Sequence, residues 1–207
     1  MRVVSVLVRH EARLLVSLLM WVARRRHGVG DGRAFGYARG QGAVMAGFAF
    51  VCLVETFTMS VLLRDWPTAH AVVLVLDGYT VVFVVGLYAA WKVRPHVLYG
   101  DCLHVRHAAH VDLRVPLERI AAVRHESRGT HERVEGELDL PVGSRTTVTL
   151  ELTEPVTHVT FLGRRREVGV VRLHADEARD LVRAVARAAD TARGRADGTP
   201  YAGAEPH

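Results

Sequence analysis

Ala43–Leu63 reads AVMAGFAFVCLVETFTMSVLL, 21 residues with a single charge at Glu55. At a helical rise of about 1.5 Å per residue, such a run crosses a hydrocarbon core of about 30 Å. A polar break follows, Arg64-Asp65-Trp66-Pro67-Thr68. Trp is a residue of bilayer interfaces, and Pro67 cannot continue a helix. The chain then turns apolar again. Ala69–Trp91 reads AHAVVLVLDGYTVVFVVGLYAAW, again with one acid, Asp77. Tyr88 and Trp91 stand at its far end, followed by Lys92 and Arg94. The pattern predicts a transmembrane helical hairpin within residues 41–92, with spans at 43–63 and 69–91. The alternative for two such runs is a buried helical hairpin of a soluble protein.

The charge distribution supports the membrane reading. The chain has 207 residues and a formal net charge of +5. Residues 1–40 carry eight Arg against Glu11 and Asp31, whereas 93–190 carry fifteen Arg against fifteen acids. A nucleic-acid domain would hold its own basic surplus. Here the surplus lies just ahead of an apolar run, as expected beside a cytoplasmic membrane face. Arg24, Arg25, Arg26, Arg33 and Arg39 precede the first span, Lys92 and Arg94 follow the second, and Arg64 between them is cancelled by Asp65. The positive-inside rule then puts both termini in the cytoplasm. Arg outnumbers Lys 26 to one, and Ala, Val and Gly are plentiful, a bias of GC-rich bacterial genomes. The expected location is a bacterial plasma membrane, multi-pass.

Ahead of the hairpin, VVSVLV and LLVSLLMWVA are separated by Arg9, His10, Glu11 and Arg13. Neither apolar run spans a bilayer alone, and no small-residue cleavage site marks a signal peptide. Residues 1–40 are expected to form an interfacial amphipathic helix on the inner leaflet, with Trp21 and the Arg24–Arg26 cluster at the headgroups. The alternative is a helix packed on the following domain. Gly28–Gly40, with five glycines, is expected to be a flexible connector.

Glu55 and Asp77 are the intramembrane polar candidates. Counted from the outer turn, both lie near the bilayer centre, where a carboxylate is costly and faces protein or water by default. Burial and a like charge both favour protonation. Such acids can bond within the hairpin, to Thr56, Thr58, Tyr79 or Thr80. They can instead grip a partner helix, or carry a proton or cation.

From Pro95 the apolar period becomes two. Leu103, Val105 and His107 alternate with His104 and Arg106, and Val111, Leu113 and Val115 with Asp112 and Arg114. A three-residue loop, Ala108–His110, pairs Val105 with Leu113 and keeps the faces separate. It also sets Arg106 against Asp112 as a cross-strand ion pair. Further runs, IAAV, TTVTLEL, THVTFL and EVGVVRLH, bring the count to six or seven short strands, an antiparallel barrel or sandwich. Asp176 is placed to N-cap a closing helix whose stripe is Ala178, Leu181, Val182, Val185, Ala188 and Ala189. Residues 93–190 thus form a cytoplasmic domain, and 191–207, without apolar periodicity, a disordered tail.

This order of elements resembles the bacterial pleckstrin-homology-like (PH-like) domain found behind a pair of transmembrane helices. The resemblance rests on Arg94-Pro95-His96-Val97-Leu98, Leu103-His104-Val105-Arg106, Val115-Pro116-Leu117-Glu118-Arg119-Ile120, Gly163-Arg164-Arg165-Arg166 and the closing helix. It implies a seven-stranded barrel capped by a helix, in interaction or assembly roles, with no catalytic residues to carry over. The overall make-up is similar to that of actinobacterial membrane proteins. The fold class expected is therefore a membrane α hairpin plus an α+β domain.

No catalytic constellation is legible. There is no nucleophile elbow, phosphate loop or nucleotide fingerprint. His104, His107, His110, His125 and His131 lack metal-ligand spacing, and Cys52 and Cys102 fall in different parts of the chain. No cofactor or metal is expected. Arg164, Arg165 and Arg166, with Arg24–Arg26, are candidates for anionic headgroups. The function expected is non-enzymatic: a membrane-anchored interaction or assembly protein, with a protein partner or self-association beside the lipid bilayer, and no nucleic acid. The alternatives are an anionic-lipid sensor and a small accessory subunit of a transport complex acting through Glu55 and Asp77.

Overall fold

The computed structural model describes residues 2–24, 29–108, 111–130, 134–160 and 163–197. Helix α1 is Arg2–Val22, strand β1 is Arg33–Phe35, and helices α2 and α3 are Gln41–Leu62 and Pro67–Val93. Strands β2 (His96–Leu98), β3 (Cys102–His107) and β4 (Val111–Pro116) follow, then a 3-10 turn, Leu117–Arg119. Strands β5 (Ile120–Arg128), β6 (Glu137–Leu140), β7 (Thr146–Val159) and β8 (Arg165–Leu173) lead into helix α4, Ala178–Asp197.

Helices α2 and α3 are long and apolar enough to cross a membrane, and only 6% and 11% of their most apolar windows are buried. A soluble helical hairpin would hide such surface; here Phe48, Phe50, Val51, Leu53, Phe57, Val61 and Leu62 all point outward. Pro67 opens α3 at its first turn, where its missing N–H costs nothing.

The β region is two four-stranded sheets, β1-β2-β3-β4 and β5-β7-β8-β6, rather than a closed barrel. The β3–β4 register pairs Val105 with Leu113 and Arg106 with Asp112, as the alternation requires. Loop residues 109 and 110 lie outside the described residues. All pairings are antiparallel except β6 with β8, which run parallel. TTVTLEL and THV, expected as separate strands, join in β7, whose register against β8 shifts between Glu151 and Val156. Leu103, Val105, Leu113, Val115, Leu117 and Ile120 face Val148, Leu150, Val171 and Leu173, and α4 closes this core with Leu181, Val185 and Ala189.

Three expectations change. The connector before the hairpin is built into the domain: Arg33–Phe35 pairs with β2, and Phe35 and Tyr37 are buried. The domain therefore begins before the hairpin, and the two apolar helices are an insertion between β1 and β2. Helix α4 continues past residue 190 to Asp197, and its alanines and arginines suit a helix better than the absence of a stripe suggested. Residues 198–207 of the expected tail lie outside the described residues. Asp176 holds the connector instead of capping α4: its Oδ1 accepts the Arg39 N–H at 2.9 Å, while the Glu177 carbonyl receives Leu181 N–H.

Candidate functional site

The apolar helices form a layer with α3 in the middle, α1 on one side and α2 on the other. Ser60 Oγ lies 2.9 Å from His70 Nε2 near the turn, and a Cβ on Gly42 would lie 3.0 Å from the Tyr88 hydroxyl at the other end. These two contacts fix α2 antiparallel to α3 and set Glu55 level with Val75. Asp77, two residues on, is displaced by about 3 Å along the axis. The two acids lie at nearly the same level along the hairpin.

The hydroxyls within reach of these acids in sequence are used elsewhere. Thr56, Thr58 and Thr80 donate to the carbonyls of Cys52, Val54 and Leu76, at 2.8–2.9 Å. Tyr79 donates to Glu11 at 2.6 Å. Among the described residues, Asp77 Oδ2 is buried without a hydrogen-bond partner. Glu55 stands exposed on the outward surface of α2, with no described bond or ion pair.

Glu11 is the residue that sequence reasoning assigned no role. It lines a cleft of about 170 Å³ between α1 and α3, with Leu14, Leu15, Tyr79, Val82 and Phe83. The signal was its position, a carboxylate between two apolar runs of one helix.

The Arg candidates separate. Arg24 follows α1, whose Trp21 ring packs edge-on against Tyr88 at 5.8 Å between centroids. Arg25 and Arg26 lie outside the described residues. Arg164, Arg165 and Arg166 are exposed at the β7–β8 turn, where Gly163 takes a positive φ of 80° and donates to the Thr160 carbonyl. Leu173, at the other end of β8, adjoins the membrane-helix ends, because the His174 carbonyl accepts from His96. Eight strand steps, about 26 Å of extended chain, separate that junction from Arg165. Among the described residues, the structure does not bring Arg24 to Arg164–Arg166.

At the junction, segments on either side of the membrane insertion interlock. Tyr37, from before α2, is fully buried, and its hydroxyl accepts the Ala108 N–H at 3.1 Å. Its ring lies against His96 at 4.8 Å and stacks on His107 at 5.8 Å. His96, three residues after α3, donates Nε2–H to the His174 carbonyl at 3.0 Å and accepts the Arg106 N–H at Nδ1, 3.1 Å. This pairing requires the neutral imidazole. Burial pushes the His96 pKa down to about 4, only partly opposed by the His174 carbonyl. Burial likewise pushes the Tyr37 phenol upward. Arg39 completes the lock, its side chain 3.1 Å from Glu177.

The outer face of the second sheet holds a charge lattice around a cleft of about 410 Å³. Arg172, nearly buried, binds Glu137 and lies 3.3 Å from Asp139. Arg128 meets Glu126 at 2.8 Å, and Arg124 meets Glu151 at 3.2 Å. The Arg172 guanidinium holds the Glu137 carboxyl below the usual range. Three arginines line the cleft against three glutamates, Glu126, Glu137 and Glu151, so its lining has no formal net charge.

Of the histidines, His104 lies 3.5 Å from Asp112, which Arg106 also approaches at 3.6 Å. His107 is taken up by Tyr37, His125 is exposed on β5, and His110 and His131 lie outside the described residues. Among the described residues, no three His, Cys, Asp or Glu side chains are grouped to hold a metal ion. Cys52 and Cys102 are both free and buried, one in α2 and one in β3. No family model, curated protein or solved structure matches this chain.

Proposed function

We propose that this is a non-enzymatic, membrane-anchored interaction or assembly protein, with α2 and α3 as its anchor and the β domain as a PH-like binding module on the Arg-rich side. The carrying observation is Glu55: a carboxyl midway along the outward face of an apolar helix, without a partner among the described residues. A carboxyl facing lipid there costs several kcal/mol. A donor from a neighbouring membrane helix, of another protein or a second copy, removes that cost. The PH-like reading rests on the sequence resemblance; the two sheets and closing α4 are compatible with an α+β domain, and the open sheets and parallel β6 depart from the closed barrel the resemblance implies. Lipid sensing through both Arg groups has less support, because Arg164–Arg166 lie at the end of β8 remote from the membrane helices.

The test is gentle solubilisation of the tagged full-length chain, with identification of what accompanies it. A specific membrane partner, or self-association, is expected with the native chain and is lost in Glu55→Gln combined with Asp77→Asn. A partner retained in that variant moves recognition to the β domain. Recovery of a lone monomer under every mild condition overturns the interaction reading.

A further inference from the structure

We propose that α1 is a third membrane-crossing helix, docked parallel to α3, which puts the N-terminal end of the chain on the side of the membrane opposite the β domain. This rests on α2 and α3 being spans. It departs from the arrangement that charge counting favours, with both termini on one side.

Three contacts define the docking. Glu11 accepts from Tyr79, Trp21 meets Tyr88, and a Cβ on Gly86 would lie 3.6 Å from Leu14 Cβ. From Glu11 to Trp21 is ten residues, and from Tyr79 to Tyr88 nine, so the two helices advance together for about 14 Å. An antiparallel helix would carry Trp21 away from Tyr88 while Glu11 stayed at Tyr79. A helix crossing at right angles would touch α3 only over its own width, about 10 Å. The shared shift of about 70 positions sets Arg2 near the level of Val72, close to the start of α3.

Depth gives the same answer. Tyr88 is an interfacial aromatic near the C-terminal end of α3, and Tyr79 lies nine residues, about 13 Å, further in. An interfacial helix lies flat, sunk about 5–10 Å into the headgroup boundary. Helix α1 instead has Trp21 at the interface and Glu11 near the bilayer centre, so it is steeply inclined, and its remaining nine residues carry it toward the other face. Leu14 and Ser17 are buried in this packing. Arg9, Glu11 and Arg13 explain why hydropathy alone passes α1 over: the helix needs α3 beside it. Arg24, just past α1, keeps positive charge on the domain side, as the positive-inside rule asks of a helix entering from the far side.

The experiment uses single cysteines in the full-length chain, in sealed vesicles of one sidedness, treated with a membrane-impermeant maleimide. One cysteine is appended ahead of Met1, one is Thr68→Cys at the α2–α3 turn, and one is Ser127→Cys on β5. The buried Cys52 and Cys102 set the background, measured in the unaltered chain. The expected result is labelling of the appended cysteine and Thr68→Cys from the same side, with Ser127→Cys at least tenfold less labelled until the vesicles are opened. An appended cysteine that labels with Ser127→Cys, opposite Thr68→Cys, overturns the third span and leaves the hairpin standing. Equal labelling of Thr68→Cys and Ser127→Cys from one side overturns the hairpin, and the inference with it.

Discussion

The helix layer and the β domain are built on opposite plans. In α2, Phe57 is 73% exposed, whereas Leu150 of β7 is wholly buried. The polar groups are inverted too. In the domain, Tyr37 and His96 are buried with hydrogen bonds made inside the fold, and Arg172 is buried with its terminal nitrogens, though not its Nε, bonded there. In α2, Glu55 faces outward, without a bond to any described residue. The domain hides its apolar side chains in its own core, and the helix layer presents apolar surface that only lipid or another helix can cover.

The sharpest way to break this comparison is to separate the two parts. Residues 93–197 alone lack β1, Phe35 and Tyr37. Losing a buried aromatic side chain costs about 3–5 kcal/mol, and a domain has only about 5–15 kcal/mol in all. The excised domain is expected to fail to fold cooperatively. The same segment joined by a short Gly/Ser linker to residues 29–41 is expected to fold, because the ends of α2 and α3 are neighbours at Gly42 and Tyr88. Thermal melts of the two proteins check this, and a stable 93–197 would show that the connector is an accessory.

That dependence was not legible in the chain. β1 is three residues, Arg33-Ala34-Phe35, too short for a period, and its partner β2 begins beyond two long apolar helices. Glycine content pointed to a flexible linker, yet Gly36 sits where a Cβ would lie 2.9 Å from Asp176 Oδ2, a close approach rather than a loose joint. The two apolar helices were legible because a long apolar run is a local property of the chain. The β3–β4 register was legible because a one-residue slip would mix the faces. Sheet closure depends on pairings between distant strands, such as β6 with β8, which no local pattern states. Glu55 and Asp77 could be found by their charge, but Glu11 needed the docking of α1 on α3 to acquire a partner.

A smaller effect probes the junction through pH. His96 is held neutral, facing Tyr37, Arg94, Arg106, His107 and His174. Its folded pKa, about 4, lies below the unfolded value of 6.5. Between those values the unfolded chain binds more protons, so stability falls as pH drops from about 6.5 and the loss is complete near 4. Two and a half units correspond to about 3 kcal/mol. Burial also lowers the pKa of His158 and His174, which adds loss of the same sign. Denaturation at pH 7.5 and 4.5 should differ strongly in the native chain and less in His96→Gln, which keeps an amide donor and acceptor but does not titrate. An unchanged pH dependence in His96→Gln would move the sensitivity to the other histidines.

The smallest effect compares two tyrosines. Tyr37→Phe leaves the Ala108 N–H buried without an acceptor, a cost of about 1–3 kcal/mol. Tyr79→Phe removes the 2.6 Å bond to Glu11, but hydrogen bonds between membrane helices average only about 0.6 kcal/mol, because separated helices find other partners. In detergent, the full-length Tyr37→Phe chain should therefore melt well below the native one and Tyr79→Phe close to it. The reverse order would mean that Glu11 cannot find a substitute donor. The α1–α3 contact would then be no more replaceable than the domain core, and the contrast between the two regions would fail at the place where α1 docks.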